Sequence, residues 1–237
     1  MADFFEIDFL DVESAKSGDA IPLRYQIDDL IYIHVVDGGF QDTGQKVVEH
    51  INKYYGKPAY IDHVIATHPD GDHAGGLRTV LETFEIGHLW MLRPWEYADE
   101  IIDRFSRFSS VENLKRRLKE IYPNLAALEE IANEKDIPIF EPFQGQTIGA
   151  FTVLAPTKER YLDLVVQSER TPESTEEMQK AVSEGFKAFL EKAAAKAVSL
   201  LKAAWGAEVF SSEETSAENE MSVVQYADLS GKRVLNC

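Results

Sequence analysis

One short stretch decides the fold and the chemistry of this chain, Thr67-His68-Pro69-Asp70-Gly71-Asp72-His73-Ala74-Gly75-Gly76-Leu77. Directly before it, residues 64–67 (Val-Ile-Ala-Thr) form an apolar run that is too short for a helix and predicts a buried strand. Such a strand delivers His68 to the edge of a sheet. Pro69 and Gly71 are turn residues, so the chain is expected to turn immediately beyond that edge.

Four potential metal ligands fall within this turn. His68 and Asp70 are two residues apart and project to the same side of an extended backbone, while Asp72 and His73 follow on the way into the next helix. Imidazole and carboxylate groups are suitable ligands for zinc, iron or manganese. The spacing therefore predicts a small volume that all four side chains share. The alternative is a solvated acidic turn that happens to contain histidines, because Asp and Gly are ordinary turn residues.

Strands and helices alternate on both sides of the stretch. Runs rich in Ile, Phe, Tyr and Val predict strands at 4–12, 21–25, 30–36, 86–92, 137–140, 151–154, 221–226 and 232–235. Apolar stripes at helical spacing predict helices at 43–55 and 77–84 and within 95–135 and 156–207, and the polar segment 211–220 is expected to be a loop. This alternation is typical of a layered α/β architecture.

Length and composition indicate one globular domain. The chain has 237 residues, of which 44% are hydrophobic, and this is enough for a sizeable core. We expect a single domain over 1–237 with helical insertions at about 95–135 and 157–207. No apolar run approaches the roughly 20 residues that span a bilayer, and the acidic N-terminus lacks the features of a signal peptide. The expectation is a cytoplasmic protein that does not associate with membranes.

The cysteine content limits the residue types that could hold a metal, and the net charge disfavours one class of partner. The single cysteine, Cys237, allows neither an intramolecular disulfide nor a Cys-rich zinc site, so histidines and carboxylates must hold any metal. The formal net charge of -17 disfavours nonspecific binding to nucleic acid. It does not exclude a phosphate-containing substrate at a metal site, because bound divalent cations reverse the local charge.

The stretch 67–77 resembles the metal-binding motif of the metallo-β-lactamase superfamily, whose commonest form is His-x-His-x-Asp-His. Asp70 stands where the second His usually stands, and this variant with its trailing Gly-Gly is similar to the competence-protein (ComEC-like) branch. Further segments resemble landmarks of that branch in the same order, namely 9–12, 18–21, 36–39, 151–156 and 219–224.

The resemblance implies a metallo-β-lactamase-like αββα sandwich with a centre of one or two metal ions between its sheets. His68 and Asp70 would hold one metal, and Asp72 and His73 the second. Asp37 would orient a ligand from the second shell, a role that metal sites generally require. The alternative for Asp37 is an ordinary turn residue, since it precedes two glycines at the end of a strand.

The sequence departs from the family pattern in its later part. The family's middle His corresponds to Ala155, no histidine follows His88, and the chain stops at residues 234–237, about where a bridging Asp would be expected. We expect either a form truncated at the C-terminus, which we favour, or a degenerate member. Loss of the last strands would leave a sheet edge and apolar faces uncovered. The remaining histidines, such as His34 and His63, are expected to be structural or exposed.

The sequence thus predicts a metal-dependent hydrolase that uses metal-activated water, with Asp72 as ligand and proton acceptor. Zinc is the first expectation for the metal, with manganese or iron as alternatives. The branch resemblance favours a phosphodiester substrate, possibly nucleic acid, over a small-molecule ester, thioester or lactam. A noncatalytic binding module is the alternative function. A helical stripe over 174–205 is expected to pack on the body of the protein, or else to form an oligomer interface.

Overall fold

The computed structural model describes residues 4–12, 18–106, 108–171 and 216–237. A six-stranded mixed sheet has the spatial order β1-β2-β3-β4-β5-β6. Its strands are β1 (Phe4–Ile7), β2 (Ala20–Ile27), β3 (Leu30–Gly38), β4 (Tyr60–Ile65), β5 (Glu85–Trp90) and β6 (Ile139–Phe140). The first three strands are antiparallel, and β3 to β6 are parallel. The carboxyl ends of β3 and β4 therefore meet at one edge of the sheet, directly before the 67–77 stretch.

A second, antiparallel sheet has the order β10-β9-β8-β7. Its strands are β7 (Thr147–Ile148), β8 (Phe151–Ala155), β9 (Val224–Leu229) and β10 (Lys232–Asn236). The two sheets face each other, because the Phe151 ring contacts the rings of Tyr25 and His34 on the first sheet. The backbone N–H of Val223 also donates to the Thr67 carbonyl across the gap, at 2.9 Å. The second sheet therefore contacts the first at the edge where the 67–77 stretch begins.

Eight α-helices lie in the part of the chain that the structure describes. They are α1 (Thr43–Tyr54), α2 (Gly71–Ala74), α3 (Leu77–Thr83), α4 (Ala98–Ile101), α5 (Val111–Ile121), α6 (Pro123–Glu134), α7 (Lys158–Gln167) and α8 (Ala217–Glu220). Short 3-10 turns cover Pro94–Tyr97 and Ile102–Arg104. Helix α1 is amphipathic, and its buried side chains Val47, Val48 and Ile51 belong to the main core. None of the described helices is long and apolar enough to cross a membrane.

The predicted fold class is confirmed, since the structure is a mixed α/β sandwich consistent with a metallo-β-lactamase-like fold. Asp28 and Asp29 form the two-residue hairpin turn between β2 and β3, and both have positive φ, as a type I′ turn requires. The prediction of a loop over 211–220 is wrong for its described part. Residues 217–220 form α8, because the Ser216 side chain caps the helix by accepting from the Asn219 N–H at 3.2 Å. The predicted helix at 174–205 lies outside the described residues.

Candidate metal centre

The Gly75-Gly76 pair fixes the motif against the end of β3. A Cβ placed on Gly76 would lie 2.0 Å from the Gly38 carbonyl oxygen. Only glycine, which has no Cβ, therefore allows the two backbones to approach this closely. The Gly76 N–H also donates to the Gly39 carbonyl at 2.9 Å. Asp37, next to this contact, has a φ of 55°, a left-handed conformation that Asp tolerates better than most residues. This close packing places the Asp37 side chain next to α2, where it contacts His73.

The Asp37 carboxylate is fully buried and accepts hydrogen bonds from two segments of the site. Its Oδ1 accepts from the Thr67 backbone N–H at 2.8 Å, and its Oδ2 accepts from the Thr67 hydroxyl at 2.5 Å. The same Oδ2 lies 2.8 Å from Nδ1 of His73. Burying a carboxylate is costly unless its oxygens accept hydrogen bonds, and these contacts provide them. Asp37 therefore connects the end of β4 to α2 and orients the His73 imidazole.

These contacts assign the tautomers of both imidazoles. The Asp37 carboxylate only accepts, so Nδ1 of His73 carries the hydrogen and Nε2 keeps its lone pair in the neutral ring. The Thr67 hydroxyl has one hydrogen, which it donates to Asp37, so at 3.1 Å from Nδ1 of His68 its oxygen acts as the acceptor. His68 thus also presents an Nε2 lone pair. The two ring centroids are 3.8 Å apart, so the imidazoles lie next to each other.

Potential ligand atoms of Asp37, His68 and His73 lie within 4.8 Å of one another, and all three residues are buried. Asp37 already accepts the hydrogen bonds of Thr67 and His73, and these contacts are compatible with the orienting role that the sequence predicts for it. Asp72 is next to this cluster, with Oδ2 at 4.0 Å from Nε2 of His73. The residues present therefore fit a divalent cation with nitrogen and oxygen ligands.

The imidazoles have opposite pKa shifts. Burial lowers the pKa of His68, and the neighbouring His73 lowers it further. Burial alone would lower the pKa of His73, but its hydrogen bond to Asp37 and the charges of Asp37, Asp72 and Asp19 raise it above its ordinary value. Burial raises the pKa of Asp19, whose Oδ2 lies 3.9 Å from Nδ1 of His73. The cluster is therefore rich in negative charge close to His73.

Asp70 has a different partner from the other predicted ligands. Its Oδ1 lies 2.6 Å from Nη1 of Arg170, which follows α7. Nε of the same arginine lies 3.6 Å from Oε1 of Glu218 on α8. Asp70 is not a member of the buried cluster of Asp37, His68 and His73. The assignment of His68, Asp70, Asp72 and His73 as metal ligands stays a prediction.

Sequence reasoning did not assign roles to three residues that the structure places here, Thr67, Asp19 and Arg170. Thr67 lies within the 67–77 stretch. Its position between the end of a strand and His68 could have indicated a role in the site. The Asp19 N–H donates to the Asp72 carbonyl at 3.2 Å, and its own carbonyl accepts from Gly39. No local pattern identifies Arg170, which is far from the motif in sequence.

The other histidines of the first sheet form a row at one register position of β3, β4 and β5. His34 pairs with His63, and His63 with His88, with ring centroids 4.7 and 5.2 Å apart. Tyr25 contacts His34 through its hydroxyl, and Trp90 donates to His63 Nδ1 at 3.1 Å. These contacts are consistent with the structural role that the sequence predicts for them.

Comparison with known proteins found a family model that matches part of the chain. Residues 34–148, just under half of the chain, match the family model described as Metallo-beta-lactamase superfamily. The matched range begins within β3 and contains Asp37 and the whole 67–77 stretch. A search of curated proteins found no match. The ComEC-like branch is not confirmed by these comparisons, and the superfamily that does match consists mostly of metal-dependent hydrolases.

Proposed function

We propose that this protein is a metal-dependent hydrolase that acts on a phosphodiester. The match of residues 34–148 to the metallo-β-lactamase family model supports the metal-dependent hydrolase. One observation carries the proposal. Two buried imidazoles lie with their ring centroids 3.8 Å apart, and Asp37 and Thr67 engage their Nδ1 atoms, which leaves each Nε2 lone pair available for a metal in the neutral ring. A solvated turn would not require a buried carboxylate behind it, so this arrangement argues against the alternative interpretation of the motif.

His68 and His73 would hold the metal, with Asp72 beside His73 as the additional carboxylate. When bound, a divalent cation supplies Lewis acidity and lowers the pKa of water to about 7. Asp37 keeps the imidazole of His73 in the tautomer that leaves Nε2 available. The side chain of Asp72 is 22% exposed and can accept a proton at the edge of the site. Zinc is the first candidate, since it accepts imidazole and carboxylate ligands, and manganese and iron are alternatives.

The preference for a phosphodiester rests on the resemblance of the 67–77 stretch to the ComEC-like branch and on the guanidinium of Arg170 beside Asp70. Guanidinium groups pair well with phosphate oxygens. The net charge of -17 favours a small phosphodiester over long nucleic acid, whose backbone the surface would repel. Hydrolysis of an uncharged ester, thioester or lactam is the alternative, and it would use the same metal-activated water.

Hydrolysis assays on the metal-free and metal-loaded chain test this function. We expect bis(p-nitrophenyl) phosphate to be hydrolysed after addition of zinc or manganese, and His68→Ala and Asp72→Asn to remove most of that activity. His50→Ala is the matched control, because His50 lies on α1 and contacts Asp8, which is not part of the 67–77 stretch. Full activity in the metal-free protein would contradict the proposal. Failure to bind metal, together with stable capture of a partner protein, would favour a noncatalytic binding module.

A further inference from the structure

The guanidinium of Arg170 lies at the metal motif without being part of it. Nη1 contacts Oδ1 of Asp70 at 2.6 Å, and Asp70 is two residues from His68 and two from Asp72. This contact joins the residues after α7 to the loop after β4, which are 100 positions apart in the chain. A cation is therefore positioned at the rim of a site that is otherwise dominated by carboxylates.

Glu218 and Ser168 also fix the position of Arg170. Nε lies 3.6 Å from Oε1 of Glu218, a carboxylate whose side chain is only 5% exposed. Glu218 also accepts a hydrogen bond from the Ser168 hydroxyl, and that hydroxyl accepts from the Arg170 backbone N–H at 3.1 Å. The side chain thus loses its rotamer freedom on folding and not on binding a ligand.

Part of the Arg170 side chain remains accessible to a ligand. The side chain of Arg170 is 44% exposed, and its ion pairs with Asp70 and Glu218 are made through Nη1 and Nε. Nη2 contributes two further N–H donors in the same plane. An anionic substrate approaching the cluster would meet the carboxylates of Asp19 and Asp72, so a fixed cation at the rim offsets their repulsion.

We infer that Arg170 is a specificity-determining residue that binds an anionic oxygen of the substrate beside the metal centre. The inference rests on the proposed function and deepens it, because it makes the substrate an anion such as a phosphodiester. A guanidinium offers paired, planar donors to phosphate oxygens, whereas an uncharged ester gains little from it. Asp70 and Glu218 act as positioning residues for this cation.

Binding of inorganic phosphate to the full chain, measured by calorimetry with and without zinc, tests the inference independently of catalysis. We expect Arg170→Met to weaken phosphate binding by about tenfold or more, the loss of a charged hydrogen bond. Arg170→Lys should be intermediate, because lysine keeps the charge without the planar fork. Arg116→Met is the matched control, since Arg116 forms an exposed pair with Glu120 on α5.

A second arm compares hydrolysis of an anionic and an uncharged substrate. Arg170→Met should raise KM for bis(p-nitrophenyl) phosphate about tenfold and should change KM for p-nitrophenyl acetate much less. Equal phosphate affinity in the parent chain and Arg170→Met, or no phosphate binding by the parent in either metal state, would overturn the inference. Arg170-dependent phosphate binding without any hydrolysis would instead contradict the proposed function and leave this inference standing.

Discussion

Nδ1 of His73 lies 2.8 Å from Oδ2 of Asp37, although the two residues are 36 positions apart in the chain. The contact unites the end of β3 with α2, and the backbone approach of Gly76 to Gly38 makes it possible. Because of this contact, the imidazole of His73 has a defined tautomer.

Asp37→Asn tests the orienting role of this carboxylate. Asn tolerates the positive φ at this position, so the backbone should be retained. Its amide would offer hydrogens to Nδ1 of His73 and so favour the tautomer with hydrogen on Nε2. We expect zinc affinity to fall by about 10- to 100-fold, the usual effect of losing such a partner. Titration calorimetry measures this, and unchanged affinity with an intact circular dichroism spectrum would refute the assignment.

Thr67→Val removes the hydroxyl that links Asp37 to His68 and keeps the shape of the side chain. Because a buried carboxylate then lacks one hydrogen bond, we expect the free energy of unfolding to decrease by about 1–3 kcal/mol. Urea denaturation measures the change. Thr152→Val, on the exposed face of β8, is the matched control and should change stability by less than about 0.5 kcal/mol. Equal effects of the two substitutions would contradict the buried link.

Gly76→Ala should be strongly destabilising, because its Cβ would clash with the Gly38 carbonyl 2.0 Å away. We expect a loss of about 3 kcal/mol in the free energy of unfolding. Gly71→Ala in the same motif is the control, since the nearest atom to its Cβ is an Asn124 side-chain nitrogen at 3.4 Å. Thermal unfolding of both variants checks the contrast. A midpoint for Gly76→Ala equal to that of Gly71→Ala would show that the close approach is absent.

The histidine row predicts a loss of stability in acid. Burial lowers the pKa of His34 well below its ordinary value, and burial together with His88 lowers the pKa of His63 to about 4. In the unfolded chain these groups titrate near about 6.5. The unfolded state therefore binds more protons below that pH. Stability should be complete above about 6.5 and decrease as the pH falls towards about 4.

His63→Gln tests this pH dependence. Gln can still accept the hydrogen bond from Trp90 but cannot take up a proton in this pH range. Urea unfolding between pH 7.5 and 4.5, with chelator present to remove metal effects, should give a smaller slope of stability against pH for the variant. Each extra proton bound by the unfolded state accounts for about 1.4 kcal/mol per pH unit. Identical slopes for the parent and the variant would be inconsistent with a proton-poor His63.

Local patterns in the sequence predicted the strand before His68, the turn beyond it and the grouping of His68 with His73. The orienting role predicted for Asp37 came from the family resemblance alone. Arg170 and Glu218 could not be predicted, because their contacts with the motif depend on how α7 and α8 pack and not on any local spacing. The two-residue strand β7 has too few residues to produce a periodic pattern.

Metal content of the purified chain tests the central claim most directly. After incubation with zinc or manganese and dialysis, mass spectrometry of the metal should find at least one ion per chain, and His68→Ala combined with His73→Ala should retain almost none. His50→Ala should bind as much as the parent. Equal metal in the double variant and the parent, or none in the parent with either metal, would contradict an imidazole-based centre at this site.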